Sequence, residues 1–332
     1  MSSTYASPRG WSAIHHWRSS GLRYFSYKFF LRNHFGTRVQ RISLDGGFAC
    51  PNTDGQISLG GCVFCDPCSF SPSRRAARTA GRLPGISEQL DHGVARLQRR
   101  HPPGTRFLAY FQPATNTYAP LERLRAVYAP AIEHPQVVGV AIGTRPDCVP
   151  TPVLDLLEAM SQQTFVSVEF GMQTSHEASL KWMNRGHDHE ATVDALTRSG
   201  GRGFEIGAHL ILGLPGESRQ DMLATAREIG RLGIDAVKLH NLYAVAGTPL
   251  ADQVHRGEVR LMDRAHYVRA VVDFLEVLPP HVVIQRIGGD APRQYLVGPR
   301  WCLDKSGLHR AIELELERRN TWQGKRASET GG

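Results

Sequence analysis

A regular alternation of short apolar runs with helical periods is the feature that most limits how this chain can fold. The chain has six β-rich apolar runs, at 38–44, 107–111, 137–142, 165–170, 204–212 and 236–240. Helical periods lie between them, near 86–100, 121–133, 151–161, 176–199 and 218–232. Strands that alternate with helices in this order predict parallel βαβ units with right-handed crossovers.

The length of the alternating segment, residues 37–247, distinguishes a closed barrel from a partial one. A closed eightfold barrel needs about 250 residues, whereas only about 205 residues separate the first apolar run from the sixth. We therefore expect an α/β fold: a partial (β/α)6 TIM-like barrel of parallel strands with a small C-terminal α+β extension. In such folds the functional site lies at the carboxyl ends of the strands.

Three segments outside this barrel differ from it in composition. Residues 1–36 are predicted to form a basic N-terminal arm, because the first 44 residues hold seven Arg or Lys and no acidic residue precedes Asp45. Such an arm suits contact with phosphates or a mitochondrial targeting role. Residues 248–320 contain helical stretches and a strand near 282–287, and form the predicted extension. The polar tail 321–332 is predicted to be disordered.

The overall composition excludes several classes of protein. The chain has 332 residues, a net charge of +8 and a mean hydropathy of −0.30. No apolar run approaches the roughly 18 residues of a membrane span, so we expect no membrane segment. Six cysteines in a chain of this length do not make a disulfide scaffold, and we expect a reducing, cytoplasmic setting.

Four of the six cysteines lie in the Gly-rich loop 45–70, directly after the first predicted strand. Cys50, Cys62 and Cys65 have the spacing C-x11-C-x2-C, and Cys68 follows them. Thiolates are soft ligands that select zinc, copper(I) or iron–sulfur clusters. Spacing alone leaves three interpretations open: a structural zinc bound by all four cysteines, a four-cysteine electron-transfer cluster, and a cluster held by the first three with one open iron.

Seven further motifs accompany the cysteine loop. They lie at 43–48, 110–112 with 116–118, 143–148, 169–174, 184–188, 209–217 and 238–240. Together with the cysteines, these motifs resemble the radical S-adenosylmethionine (radical SAM) superfamily over roughly residues 23–305. The long gap between Cys50 and Cys62 departs from the commoner C-x3-C-x2-C. A long gap is similar to that of the branch related to the catalytic subunit of Elongator. The motifs as a set resemble a bacterial group of predicted iron–sulfur oxidoreductases in that branch.

The resemblance implies two cofactors. Cys50, Cys62 and Cys65 would hold a [4Fe-4S] cluster, and the amino and carboxylate groups of SAM would chelate its fourth iron. One electron, from a donor such as a flavodoxin or ferredoxin, would then cleave SAM to methionine and a 5'-deoxyadenosyl radical that abstracts hydrogen from the substrate. Cys68 departs from the three-cysteine pattern.

The resemblance also implies a set of residues that bind SAM. They are Phe64, Gln112, Asn116, Glu169, Gln173, His209 and Gly213. Phe64 would lie near the adenine, and Glu169 with Gln173 would suit the ribose hydroxyls. Gln112 and Asn116 follow the second strand, where the superfamily holds the SAM amino group. His209 and Gly213 belong to a motif that packs adenine against backbone.

Other polar side chains near the strand ends have two interpretations each. Arg145, Arg185, Lys238 and His240 could contact the SAM carboxylate or the substrate, but each is more commonly a structural ion-pair partner. The segment 285–293, followed by basic and aromatic residues, resembles the C-terminal extension of the Elongator branch. Interleaved basic and aromatic groups could bind single-stranded nucleic acid, or the segment could close the open side of the barrel.

The sequence therefore predicts a radical SAM enzyme whose leading substrate class is RNA, tRNA in particular. No residue is assigned as an acid–base catalyst. Two alternatives belong to other classes: a zinc-bearing nucleic-acid-binding module and an iron–sulfur electron carrier. Both would use Cys68 as a fourth ligand.

Overall fold

A computed structural model describes residues 17–327 and contains a curled sheet of seven parallel strands, in the order β1-β2-β3-β4-β5-β6-β8. An antiparallel ribbon of β7 and β9 lies beside it. The strands are β1 Val39–Leu44, β2 Arg106–Phe111, β3 Val137–Thr144, β4 Phe165–Gln173, β5 Glu205–Leu212, β6 Ala236–Asn241, β7 Ala244–Val245, β8 Val283–Ile287 and β9 Leu296–Gly298.

Twelve helices are present in the described part of the chain, and most of them cover the outer face of the sheet. They are α1 Tyr27–Phe35, α2 Pro67–Phe70, α3 Pro72–Ala80, α4 Ile86–Gln98, α5 Leu121–Glu133, α6 Thr151–Ser161, α7 Glu177–Trp182, α8 His189–Ser199, α9 Arg219–Arg231, α10 Pro249–His255, α11 Arg264–Val277 and α12 Lys305–Arg318. None of the helices within residues 17–327 is both long and apolar enough to cross a membrane.

The predicted fold class is confirmed, and the C-terminal extension adds one strand to the sheet. All six predicted strands form, and β8 pairs in parallel with β6, so the barrel has seven strands rather than six. A capping box starts α9: the Ser218 side chain accepts from the Asp221 backbone N–H, and the Asp221 side chain accepts from the Ser218 backbone N–H. Local capping chemistry is readable from sequence because its partners lie within one helical turn.

The single helix predicted over 176–199 is wrong. The structure contains α7 and α8, separated by a break in which Asn184 and Gly186 adopt left-handed backbone conformations, with φ of 51° and 74°. The helical period continues through this stretch, but the break turns the chain toward the cysteine loop, where Asn184 Nδ2 donates to the Gly61 carbonyl at 2.7 Å.

The prediction of a basic arm over 1–36 is wrong for residues 17–36, while residues 1–16 lie outside the described part of the chain. Trp17, Phe25 and Phe30 are buried in a cluster with the inward-facing residues at the amino ends of the strands. The Phe25 carbonyl also accepts from the Ile284 N–H at 2.8 Å. This segment therefore closes the floor of the barrel, and the basic side chains lie between its apolar anchors.

The predicted disorder of 321–332 is wrong for residues 321–327, and residues 328–332 are outside the described range. Gln323 is fully buried, and its side chain donates to the Pro279 and Val282 carbonyls at 2.8 and 2.7 Å. Its Oε1 accepts from the Phe25 N–H at 2.9 Å. A polar residue thus joins the two ends of the chain beneath the barrel, which composition could not reveal.

Truncation of Phe30 should test this closure. We expect Phe30→Ala to lower the free energy of unfolding by about 3–5 kcal/mol, because its ring is fully buried and the floor cannot collapse around the gap. Urea denaturation followed by circular dichroism measures it. Lys28→Ala, on the exposed face of the same helix, should change stability by less than about 0.5 kcal/mol. Equal effects of the two variants would contradict the closure.

Candidate active site

A cavity of about 610 Å³ opens at the carboxyl ends of the strands, beneath the cysteine loop. It lies where a parallel βα barrel is expected to place its site. Eight of the ten site residues predicted from sequence line its wall: Cys50, Cys62, Phe64, Cys65, Gln112, Glu169, Gln173 and His209. Asn116 and Gly213 do not line the wall.

The cysteine loop is shaped by backbone hydrogen bonds and by the break between α7 and α8. The Thr53 N–H donates to the Cys50 carbonyl at 2.8 Å, and the Cys65 N–H donates to the Cys62 carbonyl at 3.0 Å. The Val63 N–H reaches across to the Met183 carbonyl at 3.0 Å. These bonds turn three sequence-distant cysteines toward one cavity.

The sulfur of Cys62 has two hydrogen-bond donors that lie next to it. Asn52 Nδ2 and Arg185 Nη1 each lie 3.5 Å from Cys62 Sγ. The same Arg185 guanidinium donates to the Gly171 carbonyl through Nη2 at 2.7 Å, and a Cβ at Gly171 would lie 2.3 Å from Nη2. Donors of this kind orient a metal-binding thiolate and tune it. Sequence reasoning did not connect either residue with Cys62, because the contact forms only where the helix breaks.

Cys68 is the cysteine of this loop that does not line the cavity. Its N–H donates to the Asp66 side chain at 3.0 Å as part of the N-terminal cap of α2. The adjoining helix α3 is attached by Arg74, which donates to both oxygens of the fully buried Asp45 at 2.9 and 3.0 Å. The structure thus separates Cys68 from the cavity.

Three thiols, those of Cys50, Cys62 and Cys65, line the wall of the cavity. Within residues 17–327, no three His, Cys, Asp or Glu side chains are arranged to hold a single metal ion. Thiolates are soft donors that suit iron–sulfur clusters, and a cluster with three cysteine ligands fits this donor set.

A buried ion cluster lies deeper in the cavity. The Glu169 carboxylate on β4 is fully buried, and its Oε2 accepts from Lys238 Nζ and, at 2.8 Å, from His209 Nε2. Gly207 makes room for it, since a Cβ there would lie 3.3 Å from Glu169 Cγ. Lys238 Nζ also lies 4.0 Å from the centre of the Tyr110 ring. Sequence placed Glu169 at the site but not its pairing with Lys238.

Burial and pairing act in opposite directions on these groups. Burial alone would raise the pKa of Glu169, but Lys238 and His209 lower it well below the usual range. Burial lowers the pKa of Lys238 to about 7, with Glu169 acting against that shift. Burial and the neighbouring Lys238 also lower the pKa of His209. The carboxylate of Glu169 therefore remains ionised inside the barrel.

The end of β4 has an irregular backbone that aims Gln173 into the cavity. Gln173 adopts a left-handed conformation with φ of 69°, and the pairing of β4 with β5 shifts register just before it. Conformations of this kind are costly for residues other than glycine and concentrate at functional sites. On the opposite wall, Gln112 Oε1 accepts from Ser43 Oγ at 3.0 Å.

Two predicted site residues serve the scaffold instead of the cavity wall. Asn116 is buried, and its Nδ2 donates to the Phe111 and Gly143 carbonyls at 3.1 and 2.8 Å, which joins the ends of β2 and β3. Gly213 has φ of 84° and supports the turn after β5. Arg145 is likewise structural, because it pairs with both oxygens of Asp147 at 2.9 and 2.7 Å.

The segment 285–293 closes the side of the barrel. Arg286, Asp290 and Pro292 line the cavity. Trp301, downstream of it, lies with its ring centre 5.2 Å from that of Tyr267 and donates to the Met262 carbonyl at 3.0 Å. Of the two predicted roles, this geometry supports closure of the barrel, because the Trp301 ring is engaged within the protein.

Comparison with known proteins assigns the family. Residues 58–229 match the Radical SAM superfamily, and residues 234–318 match the radical SAM C-terminal domain. The chain belongs to the radical SAM superfamily. The Bacillus subtilis protein YtqA is 37% identical to this radical SAM chain over 303 residues, which are 91% of this chain and 92% of YtqA.

More distant radical SAM relatives include a tRNA uridine(34) acetyltransferase from Methanocaldococcus jannaschii, 27% identical over 190 residues, 56% of this chain and 34% of that protein. The structure of archaeal Methanocaldococcus infernus Elp3 with an N-terminal deletion has the same fold, with a TM-score of 0.62 and 18% identity over 89% of this chain and 68% of that one. The protein is thus a radical SAM enzyme with distant relatives in the Elongator-related group, as the motifs predicted.

Proposed function

We propose that this enzyme binds a [4Fe-4S] cluster through Cys50, Cys62 and Cys65, binds SAM at the fourth iron, and modifies RNA, tRNA in particular. The observation that carries the proposal is the convergence of these three cysteines on one cavity wall that Cys68 does not join. When bound and reduced, the cluster supplies the electron that cleaves SAM to methionine and a 5'-deoxyadenosyl radical. A flavodoxin or ferredoxin is the proposed electron donor.

The residues of the chain bind the cofactors and exclude water. Asn52 and Arg185 donate to Cys62 Sγ and would orient it as a ligand of the cluster. Phe64, Gln112 and Gln173 line the cavity and offer one aromatic face and two amides to SAM. The floor is closed by α1, so that a reactive species at the strand ends is kept from bulk water.

The charge of the cavity wall supports an anionic substrate such as RNA. Two acidic residues line it, Glu169 and Asp290. Eight arginine or lysine side chains do so, of which Arg74 and Arg145 are paired with Asp45 and Asp147: Arg41, Arg74, Arg75, Arg145, Arg185, Lys238, Arg286 and Lys305. At the edge of the cavity, α3 carries Arg74, Arg75 and Arg78 and has no buried residue. The Methanocaldococcus jannaschii relative is a tRNA uridine(34) acetyltransferase, which agrees in substrate class.

Anaerobic reconstitution tests the cofactor assignment. The full chain is reconstituted with iron and sulfide, then mixed with SAM and dithionite, and 5'-deoxyadenosine is measured. We expect a brown protein with about four irons per chain that releases 5'-deoxyadenosine. A colourless protein with one tightly bound zinc and no SAM affinity would contradict the proposal and favour the zinc-bearing module.

The RNA assignment is tested separately by binding. We expect unmodified tRNA to bind, with the logarithm of the affinity falling linearly against the logarithm of salt concentration, because several phosphates are neutralised. Filter binding at several salt concentrations measures the slope. Binding that is weak and insensitive to salt would move the substrate to another class without affecting the cofactor assignment.

A further inference from the structure

One guanidinium at the floor of the cavity, that of Arg41, forms no ion pair with any residue in the described part of the chain. Arg41 projects from the middle of β1 and lines the cavity, and its Nη1 is buried without a hydrogen bond to any residue within 17–327. The contacts of its guanidinium include two ring faces: Tyr27, with its centre 5.0 Å away, and Tyr110, 5.6 Å away. A buried N–H donor without a hydrogen-bond acceptor costs free energy, because it has lost its contact with water. A bound acceptor would therefore stabilise this group.

The acidic side chains nearby are already engaged by other cations. Glu169 accepts from Lys238 and His209 through Oε2, while its Oε1 has no hydrogen-bond partner within residues 17–327. Asp290 pairs with Arg286 at 3.2 Å and with Lys305 at 2.9 Å. The cavity wall thus has two carboxylates, Glu169 and Asp290, beside the basic side chains of Arg41, Lys238, Arg286 and Lys305. The excess of positive charge is consistent with the pKa of Lys238, which is lowered first by burial and, among its further causes, by Arg41 and Arg286.

An irregularity in β8 adds Arg286 to the same floor. The pairing of β6 with β8 passes from Val237–Ile284 to Lys238–Arg286, so Gln285 is skipped. Gln285 donates to Glu205 inside the barrel at 2.9 Å, while the next residue, Arg286, lines the cavity. A bulge re-aims a side chain in this way at the expense of one ladder position. Two guanidiniums are thereby presented to one cavity from opposite edges of the sheet.

We propose that this floor binds an oxyanion, a phosphate or carboxylate, carried by the part of the substrate that enters the barrel, with Arg41 as its main ligand and Arg286 beside it. Guanidinium groups bind such oxyanions through two parallel N–H donors. The inference rests on the proposed function, because it assumes that the substrate shares the cavity with SAM. Arg41 lies within the strand, whereas the cysteines follow the strand's end, so the floor is distinct from the cluster side.

The burial of Arg41 restricts what can reach it. A ligand must pass through the cavity mouth and fit within about 610 Å³ together with SAM. The backbone of a nucleic-acid duplex cannot enter such a space, so the oxyanion belongs to a small molecule or to a terminal or extruded group. The floor thus binds the portion of the substrate that reacts. The basic helix α3 takes no part in this contact, because it lies at the edge of the cavity.

Anion titration of the reconstituted full chain tests the proposal. Inorganic phosphate and acetate are titrated separately by anaerobic calorimetry, and the tighter of the two identifies the class of oxyanion. We expect Arg41→Gln to weaken that binding at least tenfold and Arg41→Lys to weaken it less, because the charge remains while the paired donors are lost. The matched control is Arg106→Gln, an exposed arginine on the neighbouring strand, which should change the affinity less than twofold.

The outcomes separate the proposal from its alternatives. The absence of saturable binding of either anion, or equal binding by wild type and Arg41→Gln, would overturn it. A loss of SAM affinity as large as the loss of anion affinity would also overturn it, since Arg41 would then serve the SAM carboxylate. If the wild-type protein binds anions through Arg41 but forms no 5'-deoxyadenosine, the proposed function fails and the anion site stands.

Discussion

Cys62→Ala is expected to abolish reductive cleavage of SAM and to lower 5'-deoxyadenosine formation by more than about 100-fold. Loss of a residue that only hydrogen-bonds to a metal ligand lowers activity by about 10–100-fold, so the loss of a ligand should exceed that range. Cys62 is the buried member of the three cysteines, and two donors, Asn52 and Arg185, contact its sulfur. Without it, a cluster would have two protein ligands and would not persist. The measurement is 5'-deoxyadenosine released per chain, with iron content determined on the same sample.

Cys68→Ala is the matched control for this prediction. Its thiol belongs to the same loop but lies off the cavity wall, in the first turn of α2. We expect the variant to retain iron and SAM cleavage within about twofold. If Cys68→Ala loses as much iron as Cys62→Ala, all four cysteines are ligands. That result would favour the zinc-bearing module or the electron carrier. Full activity in Cys62→Ala would contradict the cluster assignment directly.

Lys238→Met is expected to lower the free energy of unfolding by about 3–5 kcal/mol at pH 7. The Glu169 carboxylate is fully buried, and loss of Lys238 leaves it with His209 as its remaining side-chain partner among the contacts described above. Breaking a buried pair costs more than replacing both members, because an uncompensated charge remains in a low-dielectric interior. Urea denaturation measures the change. The double variant Lys238→Met with Glu169→Gln should recover part of the loss.

The pH dependence of this variant follows from the pKa of Glu169. In the wild type that pKa is lowered below the ordinary value of 4.5, so the stabilisation is present above pH 4.5 and is lost as the pH falls. Lys238 is the largest of the interactions that lower it. In Lys238→Met the pKa rises, so protonation relieves the buried charge, and the difference from wild type should shrink as the pH falls below about 5. A difference that is constant with pH would contradict an electrostatic origin.

An exposed ion pair provides a baseline for this measurement. Arg256 and Glu258 pair in the turn after α10 with more than half of each side chain exposed, at 59% and 52%. Surface pairs of this kind contribute roughly 0–1 kcal/mol. Arg256→Met should therefore change stability little at any pH. A similar loss in both variants would indicate a general effect of removing positive charge instead of a broken buried pair.

The parts of the fold that could be predicted depend on short-range patterns. All six strands of the predicted barrel form, because a run of apolar residues between helical periods specifies a buried strand almost independently of its neighbours. Chain connectivity then forces the carboxyl ends of parallel strands to one edge. For this reason eight of the ten predicted site residues line one cavity, although their individual contacts with SAM remain predictions.

The parts that could not be predicted depend on distant partners. Phe30 and Gln323 are nearly 300 residues apart in sequence, and both are buried under the barrel floor in segments whose composition indicates an arm and a tail. Asn116 matches a motif position near the site, yet its amide is used to join two strand ends. Polar composition does not reveal such burial, because a satisfied hydrogen bond in the interior and a solvated side chain look alike in sequence.

The sequence by itself determined the parallel βα architecture of the barrel and the superfamily, since both are encoded by patterns along the chain. Only the tertiary structure decided which charges meet inside. The pairing of Glu169 with Lys238, the approach of Arg185 to Cys62 and the position of Arg41, whose Nη1 has no acceptor within residues 17–327, each depend on strand register, a bulge or a helix break. Each of these features sets the direction in which a side chain points. That direction depends on the curvature of the whole sheet, because the curvature decides which side chains meet inside the barrel.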